Sequence, residues 1–325
     1  MSGFDTQSSA KQLVSVVVCA YNSRAVHLNP TLEKIFDQTL RASHYEVVLI
    51  DNRSNPPLQQ RHDLRLPSQV RVVVEVTPGL TAARLRGAAE TSGDPIVFVD
   101  DDNVLKQDYL ETAARLCVEH PYLGVFSANV QGRFDTPPEP WMKPFLPFLA
   151  IHQVEKPKWA NHAAGGTLPI GAGMVVRRSV MEQYRHRLQA SDAFNGLDRV
   201  GSSLLAGGDT DIGMAAIEIG LGCAYMPSLE VTHLIPRDRL DPRYLYRIVR
   251  DVTASHTLLA RLHGSSSLPL RSALRFQLTS WIGALMPRRS TRQFNIARAD
   301  GMLLGHRLYR QHRRRKSTAT LLPKP

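Results

Sequence analysis

Three short apolar runs, each closing on polar residues, constrain this chain more than any other feature. Val14-Ser15-Val16-Val17-Val18-Cys19-Ala20 runs into Tyr21-Asn22, and Glu46-Val47-Val48-Leu49-Ile50 into Asp51-Asn52. Ile96-Val97-Phe98-Val99 runs into Asp100-Asp101-Asp102-Asn103, and a further β-branched run spans 70–76. Strands this continuously apolar are buried on both faces, which predicts a parallel sheet covered by helices on each side. The segments between supply those helices. Leu32, Ile35, Phe36 and Leu40 recur at helical spacing within 28–40, and an Ala/Arg-rich helix is expected over 81–91 behind Gly79. Ligands of open α/β sheets bind at the carboxyl ends of the strands, so three polar endings on one edge predict a site there.

The rest of the chain is organised differently. Residues 132–169 are rich in proline, histidine and aromatics without a clear period, which predicts a functional flap. Within it Trp141 and Trp159 offer aromatic faces, and packing is expected for at least one of them. A strand-turn over Gly171–Val176 leads into a helix over 178–188. A second helix follows Gly207-Gly208 over 209–219, with short strands about Cys223 and Val231, the latter ending in His233. Beyond Leu240 the pattern is helical and basic to about Lys316. The expected organisation is a disordered tail over 1–12, an α/β domain over 13–236 and a basic helical extension over 237–325.

Composition sets the limits. An apolar fraction of 43% with 21% charged residues is that of a folded globular chain. Cys19, Cys117 and Cys223 are few, odd in number and widely spaced, so neither a disulfide framework nor a metal spacing is legible and a reducing cytosol is expected. Met1 to Gln12 lacks a signal-peptide core, and no run reaches the ~18 apolar residues of a spanning helix. Charge is uneven: 237–325 carry 19 Lys and Arg against 4 Asp and Glu, the remainder 21 against 25. The apolar stretch Leu274, Phe276, Leu278, Trp281, Ile282 and Leu285, with Arg313-Arg314-Arg315-Lys316 beyond it, can either pack as a helical extension or lie on an anionic membrane surface, placing the protein peripherally on its inner face. No nucleic-acid-binding module accompanies the charge, so nucleic acid is not an expected partner.

Three adjacent carboxylates after an apolar strand repel one another unless a cation neutralises them. A hard divalent ion shared between carboxylates, water and substrate phosphates is the usual solution, and Mg2+ or Mn2+ is the expected cofactor. In extended backbone Asp100 and Asp102 face one side and Asp101 the other. The alternative is a solvated acidic turn capping a helix over 106–119, with Asp102 or Asn103 as its N-cap.

These segments together resemble the family 2 glycosyltransferases of the GT-A fold, an α/β, Rossmann-like three-layer sandwich with a mostly parallel central sheet. Val16 to Asn22 is similar to that family's first strand and nucleotide-side turn, and Glu46 to Ser54 to its second. Gly79-Leu80-Thr81-Ala82-Ala83-Arg84 resembles the segment beside the nucleotide, and Phe98 to Asn103 the D-x-D element. Gly171 to Arg178 resembles the acceptor-side strand-turn. Gly208-Asp209-Thr210-Asp211-Ile212, then Gly220, Pro227 and His233, follow in the family's order. The resemblance covers roughly 14–233, with Gly208 standing where the family often has an acid before its base.

The resemblance implies an enzyme that moves a sugar from a nucleotide-diphosphate-sugar donor to a hydroxyl of a glycan or lipid-linked acceptor, with inversion, as in polysaccharide biosynthesis. It implies Asp209 as catalytic base, with N-cap of the following helix as its alternative. It implies Tyr21, Asn22, Asp51, Arg84, Asp100 and Asp101 around the donor, and Asp102 and His233 at the metal. Three rivals remain: a nucleotidyltransferase, a dinucleotide oxidoreductase and a catalytically degenerate scaffold at the membrane. The first would need a glycine-rich phosphate loop with lysine after the first strand, the second a G-x-G-x-x-G there, and Cys19-Ala20-Tyr21-Asn22 supplies neither.

Overall fold

The structure, a computed structural model, describes residues 13–190, 204–264 and 289–320. The strands are β1 (Val14–Ala20), β2 (Tyr45–Asp51), β3 (Arg71–Val74), β4 (Ile96–Asp100), β5 (Asn103–Leu105), β6 (Leu123–Phe134), β7 (Lys158–Ala160), β8 (Val175–Val176) and β9 (Gly222–Ile235). The helices are α1 (Ala25–Phe36), α2 (Leu80–Glu90), α3 (Tyr109–Glu119), α4 (Arg178–Ala190), α5 (Gly208–Glu218), α6 (Pro242–Leu262) and α7 (Arg289–Thr320).

All the described strands join one sheet in the order β3-β2-β1-β4-β8-β6-β9-β5, with β7 beside β9. Its long pairings are parallel: β1 with β2 and β4, β2 with β3, and β6 with β9. The pairings of β5, β7 and β8 are short and antiparallel. Residues of β1 alternate between two cores. Val14, Val16 and Val18 pack with Leu28, Leu32 and Ile35 of α1 and Tyr109, Leu110 and Ala113 of α3. Val17 and Cys19 pack on the opposite face with Ala83 of α2, Val180 and Tyr184 of α4, and Ile212 of α5. Each such valine or leucine, fully removed from water, contributes about 1.5–3 kcal/mol. That two-sided burial explains the unbroken apolar runs and gives the three-layer α/β sandwich the sequence predicts.

The strand order also fixes where a ligand goes. From β1 the chain steps outward through β2 and β3, then returns to place β4 on the other side of β1. The reversal leaves a crevice at the carboxyl ends of β1 and β4.

Several expectations change. The first helix begins at Ala25 and ends at Phe36, because Gln38 turns its amide back onto Lys34 O and accepts from Leu110 N–H. The third helix starts at Tyr109 with Asp108 as its N-cap, so the acidic run caps nothing. The two short strands about Cys223 and Val231 are one strand, β9. Its register with β6 shifts between Ala128 and Asn129, where the ladder skips the residues holding Pro227. Proline has no N–H for the ladder, and an irregularity absorbs it.

The flap contains a 3-10 segment, Pro140–Leu149, whose Met142, Phe145 and Leu149 share a core with Ile235, with Leu245, Ile248 and Val249 of α6, and with Ala297 of α7. That core runs across the composition boundary at 236/237. Trp141 packs edge-on against Phe145, whereas Trp159 pairs with Tyr122 and is half exposed. The expected tail over 1–12 and the apolar stretch Leu274 to Leu285 lie outside the described residues. Among the described residues no helix is long and apolar enough to cross a membrane.

Candidate functional site

Two adjoining cavities open at the β1/β4 crevice. The smaller, about 260 Å3, lies over the strand ends and is lined by Ala20, Tyr21, Asn52, Asp100, Asp101, Asp102, His233 and Arg239 among others. The larger, about 720 Å3, is walled by Arg84, Asp209, Tyr225 and His256 together with apolar residues of the flap and α6. Asp100, Leu80, Phe148, Ala150 and Ala172 line both, so Asp100 stands where the two meet.

In the acidic turn Asp100 ends β4 and residues 101–102 form a tight turn into β5. Asp101 turns toward α1, where Ser23 Oγ donates to its carboxylate, and Thr31 Oγ1 donates to its backbone carbonyl at 3.3 Å. Burial, with the charges of Asp102 and Asp100, pushes its carboxyl from the usual 3.8 up to about 7 against the Ser23 bond. This is the like-charge cost the triplet predicts.

Asp102 is buried, and β5 pairs with β9 so that Asn103 opposes His233, which brings the imidazole to the same carboxylate. His233 Nε2 lies 3.3 Å from Asp102 Oδ2 and Nδ1 lies 2.9 Å from Leu149 O. A carbonyl only accepts, so Nδ1 carries a proton. Nε2 faces a carboxylate oxygen, a placement that a proton or a cation between the two would satisfy. Arg239 Nη2 stands 3.4 Å from the same oxygen. Asn103 Nδ2 donates to Asp102 Oδ1 at 3.0 Å, so Asp102 and His233 offer a cation two ligand atoms and not a full site. Among the described residues no three His, Cys, Asp or Glu side chains are already gathered as a complete metal cage, and substrate phosphates are the usual completion of such a site.

Arg84 is buried, with Nη2 3.8 Å from Asp100 Oδ1 and its guanidinium over the Phe98 ring at 5.8 Å. A Cβ at Gly171 would fall 2.4 Å from Arg84 Nη2 and 3.4 Å from Asp209 Oδ2. A side chain at Gly171 would displace the Arg84 guanidinium from this turn. Asp209 sits in the first turn of α5, whose N-cap is Gly207 and not Asp209. Gly171 N–H donates to its Oδ2 at 2.9 Å and Thr210 N–H to its Oδ1 at 2.8 Å, which fixes the carboxylate on the cavity wall. Asp211 points the other way. It is buried against Arg187 at 2.6 Å and His263 at 3.0 Å and holds α4, α5 and α6 together.

The remaining sequence candidates separate. Tyr21 is exposed at the rim of the smaller cavity. Asn22, at φ 50°, accepts from Asn55 N–H at 2.8 Å while its own N–H donates to Ser54 Oγ at 2.9 Å, so it braces the neighbouring loop. Asp51 is buried with both oxygens committed, accepting from Ser54 N–H at 2.8 Å and Leu58 N–H at 2.9 Å. It shapes the 52–58 loop, and the residue that faces the cavity is its neighbour Asn52, whose Oδ1 accepts from Gly79 N–H at 2.8 Å.

Arg239, His256 and Tyr225 were not singled out by sequence. Arg239 and His256 sit in the basic extension, where neither periodicity nor charge marks them. His256 is exposed to the cavity, and desolvation there lowers its pKa against the pull of Asp209's charge. Burial raises that of Tyr225, whose hydroxyl donates to Leu168 O at 2.9 Å.

The family model described as "Glycosyl transferase family 2" matches residues 15–185. Among curated proteins the chain is 28% identical over 109 residues to "Glycosyltransferase GlyA" of Streptococcus pneumoniae, a match over 33% of this chain and 15% of that protein. It is 27% identical over 113 residues to "Putative teichuronic acid biosynthesis glycosyltransferase TuaG" of Bacillus subtilis, over 34% of this chain and 43% of that one. The alignments thus span less than half the length of either relative. Among solved structures, S. aureus TarS superposes with TM-score 0.49 at 15% identity over 92% of this chain and 55% of that one. TarS 1-349 in complex with UDP-GlcNAc gives 0.48 at 15% identity over 93% and 92%.

Proposed function

The chain belongs to glycosyl transferase family 2, and from that membership we propose that it transfers a sugar, with inversion, from a nucleotide-diphosphate donor in the smaller cavity to a hydroxyl held in the larger one. The observation that carries this reading is that Asp100 lines both cavities, with Arg84 3.8 Å from it and Asp209 on the wall of the larger one.

In this reading the acceptor oxygen attacks the anomeric carbon and its proton passes to Asp209, whose carboxylate is aimed by the Gly171 and Thr210 amides. The bond from the anomeric carbon to the phosphate oxygen breaks, and its electron pair leaves with the nucleoside diphosphate. Arg84, buried beside Asp100, offers a fixed positive charge to the departing diphosphate. Asp102 and His233 are the residues that would hold Mg2+ or Mn2+, with Asp100 beside them. Such an ion supplies charge neutralisation to the leaving group. Tyr21 and Asn52 border the donor cavity, and Asp51 and Asn22 hold the loop beside it. An anionic lipid surface, if the protein works at one, would meet the exposed Arg307, Arg310, Arg313 and Arg314 on α7.

The test is donor hydrolysis and transfer by the intact chain over UDP-, GDP- and dTDP-sugars with Mn2+. One donor is expected to turn over, and Asp209→Asn is expected to lower turnover by about 10^3-fold while keeping nucleotide binding. A chain that binds no sugar nucleotide, or an Asp209→Asn protein with full turnover, removes the proposal.

A further inference from the structure

The larger cavity does not end at the flap. A further chamber of about 350 Å3 lies between α6 and α7, and Phe148, His256 and Ala260 line both spaces. Chambers of this volume are of ligand size. Half of its lining is apolar, namely Phe148, Ala260, Phe294 and Met302. Phe148 and Phe294 meet edge-on at 5.7 Å, and Met302 faces in from α7. Thr257 adds a methyl group, because its hydroxyl donates to Thr253 O at 2.8 Å along α6. The guanidinium of Arg298 lies over the Phe294 ring at 5.9 Å.

The cavity in front is built the same way. Beyond a polar end made by Arg84, Asp100 and Asp209, Phe148, Leu168, Pro169, Ile170 and Leu259 form an apolar part of its wall. A free oligosaccharide would set hydroxyls against this apolar wall without partners, at a cost of about 1–3 kcal/mol for each one buried. A molecule with one reactive hydroxyl end and an apolar body would not.

Resting on the transfer reading above, we propose that the chamber between α6 and α7 is a tail subsite, and that the acceptor is an amphiphile whose hydroxyl end lies at Asp209 and whose hydrocarbon chain runs past Ala260 into the chamber. The chamber's α6 and α7 walls both lie beyond the 15–185 segment that carries the family match. On this reading the C-terminal helices select the acceptor, while the sheet handles the donor.

Binding of n-alkyl β-glucosides from ethyl to decyl, each below its micelle concentration, tests this by calorimetry on the intact chain. No sugar nucleotide is present, so the result stands or falls separately from donor hydrolysis. Affinity is expected to rise by about fourfold per methylene until the chamber is filled, then level off. Ala260→Phe and Met302→Trp are expected to flatten that rise. The wild-type series decides the matter even where one variant fails to fold. Affinity independent of chain length overturns the proposal, as does a rise that both variants leave intact. A second arm presents the decyl compound in phosphatidylcholine vesicles. Binding retained there points to a lipid-borne acceptor, and binding in solution alone points to a free amphiphile. Either supports the tail subsite, and binding in neither arm overturns it.

Discussion

The proposed donor and acceptor sides of the cleft are made by different means. On the donor side, backbone fixes the chemistry: β1 and β4 deliver Tyr21 and Asp100 to one edge, and the Asn103–His233 pairing of β5 with β9 sets an imidazole against Asp102. On the acceptor side, packing does the work. The flap has little regular structure of its own and stands because Met142, Phe145 and Leu149 are clamped by α6 and α7. Hydrogen-bonded strand ends hold ionic groups to tight tolerance, whereas a wall made by side-chain packing can differ between relatives without touching the chemistry. Of the junction residues only Asp100 ends a strand; Arg84 stands on α2 and Asp209 in the first turn of α5.

That contrast can be broken in several ways. Asp209→Asn should lower transfer by about 10^3-fold, within the span for loss of a general base, while nucleotide affinity and melting temperature hold. Retained transfer would detach α5 from the chemistry. Phe145→Ala should cost about 3 kcal/mol of stability, since its ring is buried between Trp141 and Phe294, and should impair acceptor use more than donor hydrolysis. Equal losses in both activities would mean that packing supports the donor side as well. His233→Gln keeps a donor for Leu149 O but removes the ring nitrogen facing Asp102, so half-saturation by Mn2+ should rise by about tenfold. An unchanged metal titration would return His233 to a purely structural role.

The smallest effect belongs to the sheet's far end. Burial of Glu46 opposes its ionisation, but bonds from Ser92 N–H, Ser15 Oγ and Gly93 N–H outweigh it and hold the carboxyl below its ordinary 4.5. The unfolded chain takes up this proton first as pH falls. The contribution to stability is therefore present above about pH 4.5 and disappears as pH drops through the folded value. Glu46→Gln should lower the melting temperature by about 2–4 °C at pH 7 and by progressively less toward pH 3, with turnover unaffected.

How much of this was legible in sequence follows the same division. β1, β2 and β4 announce themselves because strands buried on both faces cannot carry polar residues until they end, so Asp100–Asp102 were found by position alone. The three-residue β5 is too short to have a period, and Pro227 made β9 look like two strands. Asp51 and Asn52 are both polar at one strand end. Only the loop geometry shows that the aspartate is consumed by the Ser54 and Leu58 amides while the asparagine faces the cleft. Arg239 and His256 were hidden for a further reason. Arg239, in the 3-10 turn before α6, and His256 on α6 take their places from how that helix docks on the flap, a long-range packing event that no local pattern encodes.

The account turns on the donor cavity and its cation. Titration of nucleoside diphosphates into the intact protein with and without Mn2+, beside the same titration of Asp102→Asn, tests it most directly. The account predicts wild-type binding at least about tenfold tighter with Mn2+, and an Asp102→Asn protein whose affinity the ion no longer changes. Wild-type binding indifferent to Mn2+, or a metal response preserved in Asp102→Asn, would contradict it.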